Sequence, residues 1–186
     1  MDSIYVASSW RNKLYPRVVE GLRALGHSVY DFKAPENAFE WKALDPDWQK
    51  WTPAQFRDAL EGPIAQQGFA ADAGALRAAE VVVLVLPAGA SAHSEAGWAA
   101  GAGKPVAVLV PEGTFEELYD AKATTHAVAP RAPWEPELMY KLYERIVTTV
   151  DEAVAWAHDK ALDKYRLTPE EIQILKQMAG VVVKEG

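Results

Sequence analysis

Two carboxylates, Glu95 and Asp72, are the side chains of this sequence best placed for covalent chemistry. There is no cysteine, which removes thiolate nucleophiles, thiolate metal sites and disulfides. His27, His93 and His126 fall singly, without a histidine or histidine–carboxylate spacing that would hold a metal. No Gly-x-Gly-x-x-Gly or Walker loop follows a strand, so neither a metal nor a cofactor is expected. Gly101-Ala102-Gly103-Lys104-Pro105 reads as a helix-to-strand turn at the wrong edge of a sheet for a phosphate loop. Glu95 comes soon after the apolar run over 81–88 and is expected in the first turn of the next helix, where the dipole favours its charged form. An ionised carboxylate in a cleft can attack an anomeric carbon or stabilise an oxocarbenium ion. The same position suits an acidic residue that only complements the dipole. Asp72 could be the partner acid, its pKa raised by burial and by Glu95; equally, it could cap a short helix over 72–79.

The polar run Ser8-Ser9-Trp10-Arg11-Asn12 offers hydroxyls, amides and a guanidinium to a phosphate or sugar, or else a cap cluster for the following helix. Gly89 and Gly97 permit close backbone approach, with tight helix packing the ordinary use of Gly97. Trp41, Trp48 and Trp51 could stack on a base as a lid, or build a satellite core or a subunit interface.

These residues need elements to position them. Ser3-Ile4-Tyr5-Val6-Ala7 reads as a buried strand, and Leu14, Val18, Leu22 and Leu25 recur at helical spacing up to Gly26, a C′ residue. A second strand over 28–32 completes a right-handed βαβ unit. The stretch 33–52 has no period and is expected as a long aromatic loop, a kind that is often functional. Pro53 opens a helix to about Gln67, ended by Gly68. A helix over 72–79 leads into Val81-Val82-Val83-Leu84-Val85-Leu86, whose unbroken apolar run predicts a central parallel strand. A small-residue helix to about Ala102 and a strand over 106–110 follow. Beyond them come a short helix near 115–119 and a weak strand near 125–128. Leu138, Leu142, Ile146, Val150 and Val154 predict one long amphipathic helix. Thr168-Pro169-Glu170-Glu171 caps a last helix that Gly180 closes. The pattern predicts an α/β fold: a doubly wound, flavodoxin/Rossmann-like parallel five-stranded sheet with helices on both faces, plus C-terminal helices. The expected division is an α/β domain over 1–130 and a helical extension over 131–186 packed on it. Such sheets bind ligands at the carboxyl ends of their strands. That edge selects 8–12, the tryptophan loop, 87–95 with Gly89, Ser91 and Ser94, and 111–114.

Of 186 residues, 49% are hydrophobic and 24% charged, as in one ordinary globular domain. The net charge of -7 disfavours a nucleic-acid surface, so a small molecule is the expected partner. No basic-then-apolar leader and no membrane-length apolar run is visible, and a cytoplasmic location is expected.

Taken together, the motifs resemble the nucleoside 2-deoxyribosyltransferase-like superfamily, which includes 2′-deoxynucleoside 5′-monophosphate N-hydrolases. Ile4-Tyr5-Val6-Ala7-Ser8-Ser9-Trp10-Arg11-Asn12 resembles its opening strand and loop. Asp72 with Leu76, Ala79 and Val81-Val82-Val83 resembles its aspartate segment, and Ser94-Glu95-Ala96-Gly97-Trp98-Ala99 with Gly103-Lys104-Pro105-Val106 its nucleophile helix and the turn beyond. The resemblance spans about residues 4–110. It implies that Glu95 attacks the anomeric carbon of a nucleoside or nucleotide and that Asp72 assists the departing base. It implies a homo-oligomer with sites near subunit contacts. The substrate-binding candidates are Tyr5, Ser8, Ser9, Trp10, Arg11, Asn12, Trp41, Trp48, Gly89, Ser91 and Ser94. The sequence departs from the pattern in three places. Ala88-Gly89-Ala90-Ser91-Ala92-His93 lacks the aspartate transferases carry before the glutamate, the tryptophan loop is long, and the chain after 130 has no counterpart. A Toll/interleukin-receptor-type NAD-cleaving domain and a non-catalytic nucleotide-binding module are the alternative readings, because fold does not fix function.

Overall fold

The structure, a computed structural model, describes residues 2–120 and 134–178. Five parallel strands, β1 (Ser3–Ala7), β2 (Ser28–Tyr30), β3 (Val81–Val85), β4 (Val106–Leu109) and β5 (Arg145–Val147), form one sheet in the order β2-β1-β3-β4-β5. All four pairings are parallel. The expected α/β doubly wound five-stranded sheet is therefore present. β3 lies at its centre, and its side chains alternate between faces as strand geometry requires. Val81, Val83 and Val85 join a core with Val18, Leu22, Ala153 and Ala157 from α1 (Tyr15–Ala24) and α6 (Val150–Leu162). Val82 and Leu84 face the other way, toward Leu76, Ala92, Ala96 and Ala99 from α3 (Pro63–Ala78) and α4 (Ala90–Gly101). Truncating such a buried side chain, as in Leu84→Ala, costs about 2–5 kcal/mol. The remaining helices are α2 (Pro53–Leu60), α5 (Phe115–Leu118) and α7 (Pro169–Met178).

The chain runs from β1 to β2 on one side and then returns to place β3 on the other side of β1. That reversal opens a crevice outside the carboxyl ends of β1 and β3.

Three sequence expectations change here. The helix over 53–67 and the helix over 72–79 are instead α2 and one sixteen-residue α3, split at Gly62-Pro63. Gly62 is extended and Pro63 sits at the first helical turn, where its missing N–H costs nothing. Gly68 ends no helix. It lies inside α3, where an added Cβ would stand 3.0 Å from Phe39 Cδ2, so its bareness admits the aromatic loop.

The second change concerns the fifth strand. The weak strand near 125–128 lies outside the described residues, as do His126 and Gly180. β5 comes instead from within the expected helix over 138–154. Ile146-Val147-Thr148-Thr149-Val150 is an unbroken β-branched run, which favours a strand. Thr149 then starts α6 with a capping box completed by Glu152. The apolar stripe that suggested one helix is not buried as one: Leu138, Leu142 and Ile146 are exposed, and α6 packs through Ala153, Ala157 and Ala161. The segment after 130 thus supplies a strand of the sheet as well as helices.

The third change is the start of α4. Gly89 is its N-cap residue and Ala90 its first, which puts Glu95 in the second turn, away from the orphan N–H groups at the helix start.

Candidate active site

Glu95 and Asp72 line one cleft of about 250 Å³ together with Tyr5, Ser8, Trp10, Phe32, Asn37, Phe39, Trp41 and Ser91. The two carboxylates arrive from different helices, Glu95 from α4 and Asp72 from the interior of α3. Asp72 is far from the start of α3, so it caps nothing.

Each carboxylate is held by a tyrosine that rises from the sheet. Tyr30 Oη donates to Asp72 Oδ1 at 2.8 Å, and the Tyr5 hydroxyl hydrogen-bonds to Glu95. Tyr5 and Tyr30 are register partners on β1 and β2, so they point to the same face of the sheet. Their rings stack with centroids 5.9 Å apart and planes 12° from parallel. Burial and the two carboxylates push both phenols far above their usual range, so both stay protonated and act as donors.

The electrostatics overturn the expectation that the helix dipole keeps Glu95 charged. Burial pushes its carboxyl up to about 7, the negative charge of Asp72 adds to the rise, and the Tyr5 bond opposes it. Asp72 is also pushed up, by burial, with the Tyr30 bond opposing. Two interacting carboxyl groups titrate as a pair, and this pair retains a proton close to neutrality.

The polar run after β1 divides by position. Ser8 and Trp10 face the cleft, with Ser8 Oγ donating to Val85 O at 2.9 Å. Ser9 and Arg11 turn instead to Tyr119, Ser9 Oγ lying 3.1 Å from its hydroxyl and Arg11 Nη1 3.4 Å from it. Asn12 is not available to a ligand. It is 1% exposed, donates to Val85 O and Pro87 O at 3.0 and 3.1 Å, and accepts from Leu14 N at 2.7 Å. Its job is to pin the loop to the end of β3 and to hold the turn just before α1; it does not cap that helix, whose N-cap residue is Leu14 with no side-chain cap. Residues 11–13 are further tied to residues 118–120 by Lys13 N to Leu118 O and Asp120 N to Arg11 O.

On α4, Ser91 lies one turn before Glu95 and shares its cleft. Ser94 is exposed and returns its hydroxyl to Ala90 O at 2.9 Å, so it does not line the cleft. Gly89 contributes its carbonyl, which accepts from His93 Nδ1 at 2.8 Å. His93 Nε2 lies 3.0 Å from the Tyr140 hydroxyl.

The tryptophans are also divided. Trp41 lines the cleft and packs edge-on against Phe39, Trp51 and Phe56 at 4.8, 5.8 and 5.6 Å. Trp51 stands behind it, its Nε1 donating to Asp45 Oδ2 at 2.6 Å. Trp48 does not line the cleft; of the three tryptophans expected over the site, Trp41 forms part of its wall and half-buried Trp51 packs behind it.

Sequence reasoning missed Tyr30, Phe32, Asn37, Phe39 and Tyr119. A signal existed for Tyr30: in a parallel βαβ unit the second strand lies beside the first, and Tyr30, the last residue of β2, pairs in register with Tyr5. The others carry no local motif. They reach the site through loop geometry that periodicity does not encode.

A wider groove of about 650 Å³ lies between α1 and α6, on the opposite face of the sheet from the carboxylates. Among the described residues no cluster of three or more His, Asp or Glu could hold a metal ion, and no helix is long and apolar enough to cross a membrane.

No protein-family model and no curated protein matches the sequence. Among solved structures, the chain is similar to a 2-deoxyribosyltransferase of the psychrotolerant bacterium Bacillus psychrosaccharolyticus, at 17% identity and a TM-score of 0.48, over 81% of this chain and 88% of that one. It is also similar to BcmB, a CMP N-glycosidase of Clostridium botulinum, at 15% identity and a TM-score of 0.38, over 89% of this chain and 100% of that one.

Proposed function

We propose that this chain cleaves or transfers across the N-glycosidic bond of a (deoxy)nucleoside or nucleoside 5′-monophosphate, with Glu95 as nucleophile and Asp72 as general acid. The observation that carries this reading is the pair of half-buried, tyrosine-held carboxylates in a small cleft with an aromatic wall. The motifs around Tyr5, Asp72 and Glu95 support it. Ionised Glu95 attacks the anomeric carbon, and the carbon–nitrogen bond breaks. The bonding pair leaves with the base, which takes a proton from Asp72. Water or a second base then displaces Glu95 from the glycosyl-enzyme, and Asp72 accepts the proton the incoming nucleophile loses. Trp10, Phe32, Phe39 and Trp41 offer faces on which the departing base stacks. Ser9 and Arg11, gathered at Tyr119, form the polar rim suited to a 5′-phosphate.

Incubation with deoxynucleosides, their 5′-monophosphates and NAD, followed by chromatography for the free base, tests the proposal. Release of a purine or pyrimidine base is expected. Release of nicotinamide alone would move the chain to the NAD-cleaving reading, and no released base would leave a binding module.

A further inference from the structure

The side chain of Asp72 has one committed oxygen and one open one. Oδ1 accepts the hydroxyl of Tyr30 at 2.8 Å, and among the described residues no hydrogen bond is made to Oδ2. Tyr30 does not line the cleft; it reaches Asp72 from the sheet beneath. Its ring cannot drift, because it is stacked on Tyr5, its partner in the parallel register, and Tyr5 in turn bonds Glu95. Two adjacent strands thus deliver two hydroxyls, one to each carboxylate, at a spacing fixed by the sheet.

We infer that Tyr30 is a positioning residue for base departure: it fixes the Asp72 carboxyl so that Oδ2 alone faces the leaving base, and it stabilises the carboxylate left after that oxygen gives up its proton. The inference rests on the proposed role of Asp72. The chemistry fits the direction of the bond. A phenol that stays protonated can only donate to an anionic carboxylate, so the contact strengthens as Asp72 loses its proton. The bond also limits the rise in the Asp72 pKa that burial causes.

Tyr30→Phe tests this while keeping the ring stack. The expected result is a fall in kcat of about 10- to 100-fold, the worth of one hydrogen bond to a charged group, with KM changed less than about 2-fold because uniform binding is untouched. The alkaline limb of the rate profile, set by protonated Asp72, should move to higher pH. Tyr30→Phe added to Asp72→Asn should slow the enzyme no further than Asp72→Asn alone. A loss that multiplies with that of Asp72→Asn, or an unmoved alkaline limb, would overturn the inference. Carboxyl titration by nuclear magnetic resonance without substrate keeps the two proposals separable. An Asp72 resonance that titrates higher in Tyr30→Phe supports the positioning contact even if no nucleoside is turned over. An unshifted resonance overturns it even if base release is found.

Discussion

Glu95 and Asp72 are two carboxyl groups that the fold treats alike: both are half-buried and both are given a tyrosine donor. The difference lies in degree. Glu95, pushed up to about 7, is half ionised near neutrality, and a nucleophile must be ionised. Asp72 must at the same time keep the proton it donates, so activity should peak near neutrality, falling on the acid side as Glu95 is protonated and on the alkaline side as the pair loses its last proton. Asp72→Asn removes the neighbouring charge that helps raise Glu95, so the acid limb should move to lower pH while the rate falls by about 10²–10⁴-fold, most for poor leaving groups. A rate–pH profile of the two proteins checks both directions. Glu95→Gln should reduce turnover on the order of 10⁴–10⁶-fold, as loss of a nucleophile does in other enzymes. Circular dichroism should show its fold intact, since relieving a desolvated carboxyl costs the structure little. A well-folded Glu95→Gln protein with ordinary turnover would remove Glu95 from the chemistry.

At the scale of elements, α3 makes a paired prediction. Gly74 is exposed with nothing within 4 Å of an added Cβ, so Gly74→Ala should stabilise by up to about 1 kcal/mol through helix propensity alone. Gly68 lies in the same helix, but an added Cβ would meet three Phe39 atoms at 3.0–3.1 Å, two of them the ring root and Cβ rather than a mobile tip. Gly68→Ala should forfeit that gain and displace Phe39 and Trp41 from the cleft wall, raising KM. Thermal denaturation of both variants, with KM for any substrate found, separates the two glycines. The α6 capping box predicts a loss of about 0.5–2 kcal/mol in Thr149→Ala. These elements also show where sequence is readable. The apolar runs of β1, β3 and β4 announce themselves because both faces of a parallel sheet are covered. The α1 stripe does so because its period is regular. β5 was hidden because Leu138, Leu142 and Ile146 happen to continue the α6 period, although they are exposed. Gly68 misled because a glycine that admits a neighbour looks, in sequence, like one that ends a helix. At the site, Glu95 and Asp72 were legible as residue types at the ligand edge, whereas Asn12 was legible only as polar. Its burial beneath Val85 and Pro87 depends on how the loop closes.

Across the whole molecule, the end of the sheet opposite the cleft carries its own titrating pair. His27, 5% exposed at the start of β2, lies 2.8 Å from His158 of α6, Nε2 to Nδ1, with Asp2, Glu80 and Lys164 around it. Burial lowers the pKa of His27, the charge of His158 lowers it further, and Asp2 and Glu80 oppose. A histidine whose pKa is depressed by folding binds fewer protons folded than unfolded. Its contribution is full above the unfolded value of about 6.5 and is lost as pH falls through it. Glu95, with its raised pKa, adds stability as pH falls through the same range, so the His27 contribution is read as a difference: between about pH 7.5 and 5.5 the melting temperature of His27→Gln should gain on that of the unaltered protein. An equal slope in both proteins would place the acid sensitivity elsewhere.

The central claim, that Glu95 forms a bond to the sugar, is tested most directly by trapping that bond. A nucleoside bearing fluorine at the sugar 2′ position slows breakdown of the glycosyl-enzyme, which can then be weighed intact and mapped by peptide mass spectrometry. The account predicts one added fluoro-sugar per chain, located on Glu95 and absent in Glu95→Gln; a label located on Asp72, or one that persists in Glu95→Gln, would contradict it.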